Sequence, residues 1–316
     1  MTTSSETKPL AIALHGGSGT ILREHLTPDL EAAYIAALKE ALDCGWDCLE
    51  SGGRSLDAVE AAAKSLEDCP LFNAGRGSVF TSEQTHEMDA AIMCGRERAA
   101  GAVAGVKTVR NPVSLAREVL QDGRYVFLTA EGAEAFAEVC RVERVDPNWF
   151  STEERLNQLK AAREEEGMVM DHDGAQSTKF GTIGVVALDS LGDLAASTST
   201  GGLTNKRFGR VGDSPLIGAG TYANNQSCAV SCTGYGEEFI RSIVAYDVAA
   251  RMEYLNENLD TAARAVVFEK LPEIGGVGGL IAVDSKGNVS LPFNTEGMYR
   301  AWRTSDGRSE VAIFGE

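Results

Sequence analysis

The sequence predicts a mixed α/β fold, and three observations predict it. Apolar runs of strand length stop at glycine-rich turns, as at 10–14 before His15-Gly16-Gly17. Segments with apolar residues at helical spacing stand beside such runs in both halves of the chain. Two hairpin signals follow residue 181: one spans 183–200 across Gly192-Asp193, the other 279–293 across Lys286-Gly287-Asn288. No repeat of about 20–50 residues marks the chain as a solenoid or propeller.

The elements follow in order. Residues 10–14 read as a strand entering a tight glycine turn. Thr27-Pro28-Asp29 opens a helix, with a capping hydroxyl and a proline in the first turn. Leu30, Tyr34, Ala37, Leu38, Ala41 and Leu42 then hold helical spacing until Gly52-Gly53 stops it. A second helix covers 55–67, and two more cover 112–120 and 130–139 with a strand at 125–129 between them. The stretch from about 157 to 181, with Arg163-Glu164-Glu165-Glu166 and Asp171-His172-Asp173-Gly174, offers nothing to build a core from and reads as an exposed flexible linker. Apolar strand sequence resumes at once after Gly181, and long helices at 237–254 and 259–271 complete the second half.

Composition excludes several roles. The formal charge of −17 over 316 residues, with no basic stripe to offset it, argues against nucleic-acid or anionic-membrane partners. The first eight residues lack an apolar signal core, and no run reaches the length of a membrane span. Seven cysteines, an odd number without any CxxC pair, read as free thiols in a reducing cytoplasm.

The junction Gly181-Thr182-Ile183-Gly184 carries the chemistry. A threonine opening a strand is ordinary, because β-branched side chains suit strands and glycine suits the turn before them. Here a polar segment delivers Gly-Thr to the edge of a sheet, which suits a chain that cuts itself. Thr182 would then hold both a hydroxyl and, once freed, its own α-amine as base. A rival feature is Gly218-Ala219-Gly220-Thr221-Tyr222-Ala223, which fits G-x-G-x-x-A with Glu237 and Glu238 downstream. Its context is wrong for a dinucleotide site, since Asn224-Asn225-Gln226-Ser227 leads into another strand-like run and opens no helix. Asp171-His172-Asp173 resembles a metal-binding triplet but sits in sequence so polar that solvation explains it.

Beyond Thr182 stand Thr198-Ser199-Thr200-Gly201-Gly202, Gly209-Arg210-Val211-Gly212-Asp213-Ser214-Pro215 and Cys232-Thr233-Gly234-Tyr235-Gly236. Leu14-His15-Gly16-Gly17 and Cys69-Pro70-Leu71-Phe72-Asn73-Ala74-Gly75 precede it. Together, and in this order, they closely resemble the plant-type L-asparaginase/isoaspartyl peptidase family of N-terminal nucleophile hydrolases. The resemblance covers nearly the whole chain and implies a four-layer αββα sandwich. It also implies self-cleavage between Gly181 and Thr182, giving an α subunit of 1–181 and a β subunit of 182–316 within one structural domain. The activity implied is hydrolysis of β-aspartyl dipeptides and L-asparagine, on a dimer of processed αβ units. Glycosylasparaginase, the lysosomal sibling, is the alternative; it is disfavoured because glycine, not aspartate, precedes Thr182 and no secretory signal is seen.

The resemblance also assigns roles. Thr182 is the nucleophile, Thr200 the threonine that hydrogen-bonds it, and Asn73 the residue that steadies the site. Thr233 and Gly234 are the oxyanion donors and contact the substrate. An α-amino acid substrate needs a fixed cation and a fixed anion, and Arg210 and Asp213 supply both three residues apart. No cofactor is expected for catalysis. The backbone carbonyls of Leu66, Glu67, Cys69, Phe72, Ala74 and Arg76 match the family's sodium loop, a hard-cation donor set. Arg76 places a bulky cation where relatives carry an apolar residue.

Overall fold

Two β-sheets lie face to face, and helices cover the outer face of each. The computed structural model describes residues 9–19, 21, 23, 26–169 and 181–315. The larger sheet is built from β1 (Ala11–Gly19), β2 (Met88–Cys94), β3 (Ala100–Val106), β4 (Phe127–Thr129), β5 (Ile183–Leu188), β6 (Leu194–Thr200), β11 (Gly297–Thr304) and β12 (Ser309–Phe314). Their order across the sheet is β12-β11-β1-β5-β6-β2-β3-β4. All neighbours are antiparallel except β3 and β4. The smaller sheet runs β10 (Val289–Ser290), β9 (Gly278–Asp284), β8 (Cys228–Gly234) and β7 (Thr221–Ala223). Helices α1 (Pro28–Glu50), α2 (Ser55–Asp68), α3 (Pro112–Asp122) and α4 (Ala130–Cys140) cover the large sheet; α7 (Val244–Leu255) and α8 (Leu259–Ala265) cover the small one. The layers are therefore αββα.

Side-chain alternation on the central strands builds this arrangement. In β5, Ile183, Val185 and Ala187 enter the core under α1–α3, with Leu38, Trp46 and Leu66. Val186 and Leu188 enter the core between the sheets, with Ala229 and Ile281. Both faces are buried, so β5 reads as a continuous apolar run. The same two-residue period sorts β6. Ala195 faces the helices with Ser197 and Ser199, whereas Leu194 and Ala196 face the other sheet with Thr198 and Thr200. Each Val or Leu side chain buried in this way stabilises the fold by roughly 1.5–3 kcal/mol.

Several expectations need correction. Residues 153–169 form helix α5, so the irregular linker does not begin near 157. Its Glu, Arg, Ala and Leu residues have high intrinsic helix propensity, and its first half buries Arg155 and Leu159 on one face. Asp171-His172-Asp173 and the rest of 170–180 lie outside the described residues. The helix expected at 237–254 is two helices, α6 (Gly236–Ser242) and α7, broken at Ile243 with φ 49°. The amides of Ala245 and Tyr246 donate to the carbonyls of Ala219 and Gly218 (3.0 and 2.8 Å), which draws the chain off a single helical axis. The helix expected at 259–271 passes from α8 through a π-helical turn (Val266–Lys270) into α9 (Leu271–Glu273).

Strands β2, β3, β11 and β12 carry no clear sequence signal. Strand β3 is Ala, Gly and Val only, a composition poor in strand formers. Gly101 explains part of this: a Cβ there would lie 2.0 Å from the Ala116 carbonyl, so α3 packs directly on the strand backbone.

Candidate active site

Thr182 is the last residue before β5, and the period-2 alternation turns its side chain toward the gap between the sheets. Its hydroxyl donates to the Thr200 hydroxyl at 3.1 Å. Thr200 Oγ1 also accepts the Gly202 amide at 3.0 Å, which fixes its lone pairs. Both threonines are buried. The Gly181 carbonyl accepts the Asn73 amide at 3.1 Å, and a Cβ on Gly181 would lie 2.5 Å from that of Asn73. Asn73 also donates to the Gly202 carbonyl (2.7 Å), and its Oδ1 accepts the Val79 amide (2.9 Å). It thus braces the Gly181 and Gly202 backbones on either side of Thr182.

Gly181, Thr182 and Thr200 open into a narrow cleft that Arg210, Asp213 and Gly234 also line. A second groove, beside Ile21, Phe293 and Phe314, has Thr295 in its lining, and that hydroxyl donates to the Gly297 carbonyl at 3.0 Å. Arg210 makes a bidentate pair with Glu237, Nε to Oε1 at 2.9 Å and Nη2 to Oε2 at 2.7 Å. That pairing holds the guanidinium charge up and the Glu237 carboxyl below its usual range. The carboxylate that Arg210 grips without a substrate is that of Glu237. It went unrecognised as a site residue because its motif reads as a faulty dinucleotide fingerprint. The other Arg210 edge borders Gly212 and Gly236, where a Cβ would come within 2.9 and 2.8 Å of its nitrogens.

Asp213 is buried, and its Oδ2 has no partner among the described residues. Burial pushes its carboxyl up to about 7, against the pull of Arg210. A buried carboxylate short of one partner is what an incoming ammonium completes. Thr233 lies one step behind the cleft wall on β8, where its Oγ1 accepts the Ser18 amide at 3.2 Å, leaving its own proton to donate. Gly234 borders the cleft with no room for a side chain: a Cβ would lie 2.4 Å from Phe239 and 2.5 Å from the Val277 carbonyl.

Two more ionisable groups near the cleft had no sequence signal. Lys206 is buried, donates to the Glu87 carbonyl at 2.7 Å, and has its ammonium pKa lowered by burial. Asp89 is paired in register with Thr200, and burial raises its carboxyl. Gly218-Ala219-Gly220 leads into strand β7, not a helix, so it cannot cradle a dinucleotide phosphate. The loop from Leu66 to Arg76 joins the end of α2 to the Asn73 brace. Its Leu66 and Ala74 carbonyls accept the Cys69 and Gly77 amides (3.3 and 3.2 Å). Glycines at 75 and 77 let the Glu67 and Phe72 carbonyls approach, since a Cβ would lie 2.3 and 2.1 Å from them.

A threonine heading the central strand of an αββα sandwich, with a glycine before it and a second hydroxyl at hydrogen-bond distance, defines the N-terminal nucleophile hydrolase class. A family profile described as Asparaginase matches residues 8–313, and the chain belongs to that family. It is 54% identical over 308 residues to the protein named isoaspartyl peptidase of Escherichia coli, covering 96% of both chains. The isoaspartyl peptidase/L-asparaginase of Xenopus laevis is 41% identical, over 97% of this chain and 96% of its own. The plant-type L-asparaginase of Thermococcus kodakarensis is 42% identical, over 95% and 98%.

Proposed function

We propose that this chain cuts itself between Gly181 and Thr182 and then hydrolyses β-aspartyl dipeptides and L-asparagine, releasing L-aspartate. The observation that carries the reading is one cleft holding the paired Thr182 and Thr200 hydroxyls together with Arg210 and Asp213. In self-cleavage, Thr182 Oγ1 attacks the Gly181 carbonyl, whose oxygen the Asn73 amide polarises. The acyl group moves from nitrogen to oxygen, and water opens the ester. The reading makes residues 1–181 and 182–316 the two subunits of one domain.

In turnover the freed α-amine of Thr182, with a reference pKa of about 8, takes the hydroxyl proton. The substrate's α-carboxylate lies on Arg210 and its α-ammonium on Asp213, which places the β-carbonyl over Thr182. The oxyanion receives the Thr233 hydroxyl and the Gly234 amide. The amine or ammonia leaves with the proton, and water then releases aspartate from the β-aspartyl ester. An α-linked aspartyl dipeptide exchanges the places of carboxylate and scissile bond, so it should not turn over. Arg210→Ala should lose activity on asparagine and on β-aspartyl-leucine alike, by on the order of 2–5 kcal/mol, while self-cleavage continues. Wild-type kcat/KM in that variant would refute the clamp.

Glycosylasparaginase chemistry is disfavoured because glycine, not aspartate, precedes Thr182. The carbonyl set from Leu66 to Arg76 fits a sodium ion that braces Asn73 without entering the chemistry. Replacing sodium with a large organic cation should lower Tm, and an unchanged Tm would remove that ion from the account. Exposed Tyr254 and Leu255, at the end of α7, give a dimer of processed units apolar surface to bury; light scattering tests it. Seven free thiols suit a reducing cytoplasm, and among the described residues no helix is long and apolar enough to cross a membrane.

A further inference from the structure

Self-cleavage creates a difficulty that the catalytic groups do not solve. Thr182 becomes a chain end, and chain ends fray unless something ties them down. The β1–β5 ladder stops at the pair His15 and Gly184, so Thr182 lies beyond its last rung. Its carbonyl is held by a side chain, His15 Nδ1 at 3.0 Å. That carbonyl belongs to the Thr182–Ile183 peptide, which self-cleavage leaves intact.

The proton positions around His15 follow from elimination. His15 is fully buried, and burial lowers its pKa to about 3, so the ring is neutral at physiological pH. The Thr182 carbonyl only accepts, so the proton sits on Nδ1 and Nε2 is the acceptor. Ser231 Oγ, 3.0 Å from Nε2, must therefore donate to it. Thr198 Oγ1 lies 2.7 Å from Ser231 Oγ and 2.6 Å from Thr221 Oγ1. All these side chains are buried. The Thr198 and Thr221 hydroxyls also lie 3.2 and 2.9 Å from the Gly220 and Ser214 carbonyls, so the direction is fixed from Ser231 to His15 to the Thr182 carbonyl. The packing makes room for this junction: a Cβ on Gly184 would lie 1.9 Å from Ser231 Oγ and 2.4 Å from His15 Nε2.

We infer that His15 is a positioning residue for the nucleophile: its Nδ1–H, locked in that tautomer by Ser231, anchors the carbonyl of Thr182 through self-cleavage and turnover. His15 reaches Thr182 only through the backbone, so it acts on kcat and leaves KM unchanged. The inference rests on the reading of Thr182 as nucleophile.

Two substitutions separate anchoring from mere filling of a buried polar site. In His15→Asn the amide nitrogen occupies the Nδ1 position and keeps the bond to Thr182. In His15→Gln the side-chain amide reaches toward Ser231 and leaves the Nδ1 position without a donor. At matched Tm, His15→Asn should self-cleave and keep most of the wild-type kcat. His15→Gln should slow both self-cleavage and kcat by on the order of tenfold or more, with KM unchanged. Nitrogen NMR of the wild-type imidazole, assigned by its loss in either variant, should show the proton on Nδ1. A His15→Gln enzyme with wild-type rates, a His15→Asn enzyme as impaired as His15→Gln, or a proton on Nε2 each overturns the inference. Should His15→Gln fail to fold, the His15→Asn rates and the wild-type spectrum still decide. A normal His15→Gln enzyme beside an inert Thr182→Ala chain refutes only this inference; an active Thr182→Ala chain refutes the functional reading beneath it.

Discussion

Asp213 shows how one buried carboxyl sets both substrate binding and its pH dependence. It must be ionised to accept an ammonium, yet burial holds its pKa near 7 in the free enzyme. Below that value the loss of the carboxylate should add about a tenfold fall in kcat/KM per pH unit to the fall that protonation of the Thr182 α-amine imposes below about 8. Bound substrate favours the ionised form, so kcat should be flat across the same window apart from the Thr182 α-amine. Asp213→Asn should raise KM and remove the limb from KM; a KM that keeps it would assign the titration elsewhere. The raised pKa works against folding at higher pH. The folded state holds this proton between about 4 and 7 while the unfolded chain does not, so stability falls as pH rises through that window. Residue roles of this kind were partly legible in the sequence. Arg210 and Asp213 stand in one short motif, and Gly181-Thr182 marks itself by contrast with the polar stretch before it. His15 and Glu237 did not stand out, because their meaning depends on partners 167 and 27 residues away.

At the scale of elements, β5 decides where the nucleophile stands. It lies between β1 and β6, with α2 on one face and β8 and β9 on the other, so its position has little freedom. Gly184 lets β5 approach β8 closely enough for His15 and Ser231 to meet. Gly184→Ala should force the sheets apart, destabilise the fold by about 1–3 kcal/mol and slow self-cleavage; thermal melts and a cleavage time course check both. Normal stability and cleavage would show that the sheets relax without cost. The helices and the two hairpins were readable because apolar period and turn residues declare them locally. Strand β3 was not, since Gly101 and its alanines are chosen by the helix that lies against them. The α6–α7 break at Ile243 was hidden for the same reason: carbonyls of Gly218 and Ala219, distant in sequence, take the amides that would have continued the helix.

The whole molecule explains how a chain survives being cut in its centre. Strands from the two prospective fragments interleave in the large sheet: β12 and β11, then β1, then β5 and β6, then β2, β3 and β4. Cleavage after Gly181 removes one covalent bond and leaves every strand pair and both cores in place. Fragments 1–181 and 182–316 should therefore co-elute under native conditions and part only in denaturant. The most direct test of the account is denaturing mass analysis with N-terminal sequencing of purified wild type and Thr182→Ala, each assayed on β-aspartyl-leucine. Wild type should give two fragments, the second beginning at Thr182, and release aspartate. Thr182→Ala should remain one folded, inactive chain, because the oxygen that performs the acyl shift is gone. Cleavage at this bond or normal turnover in Thr182→Ala would contradict the account at its centre.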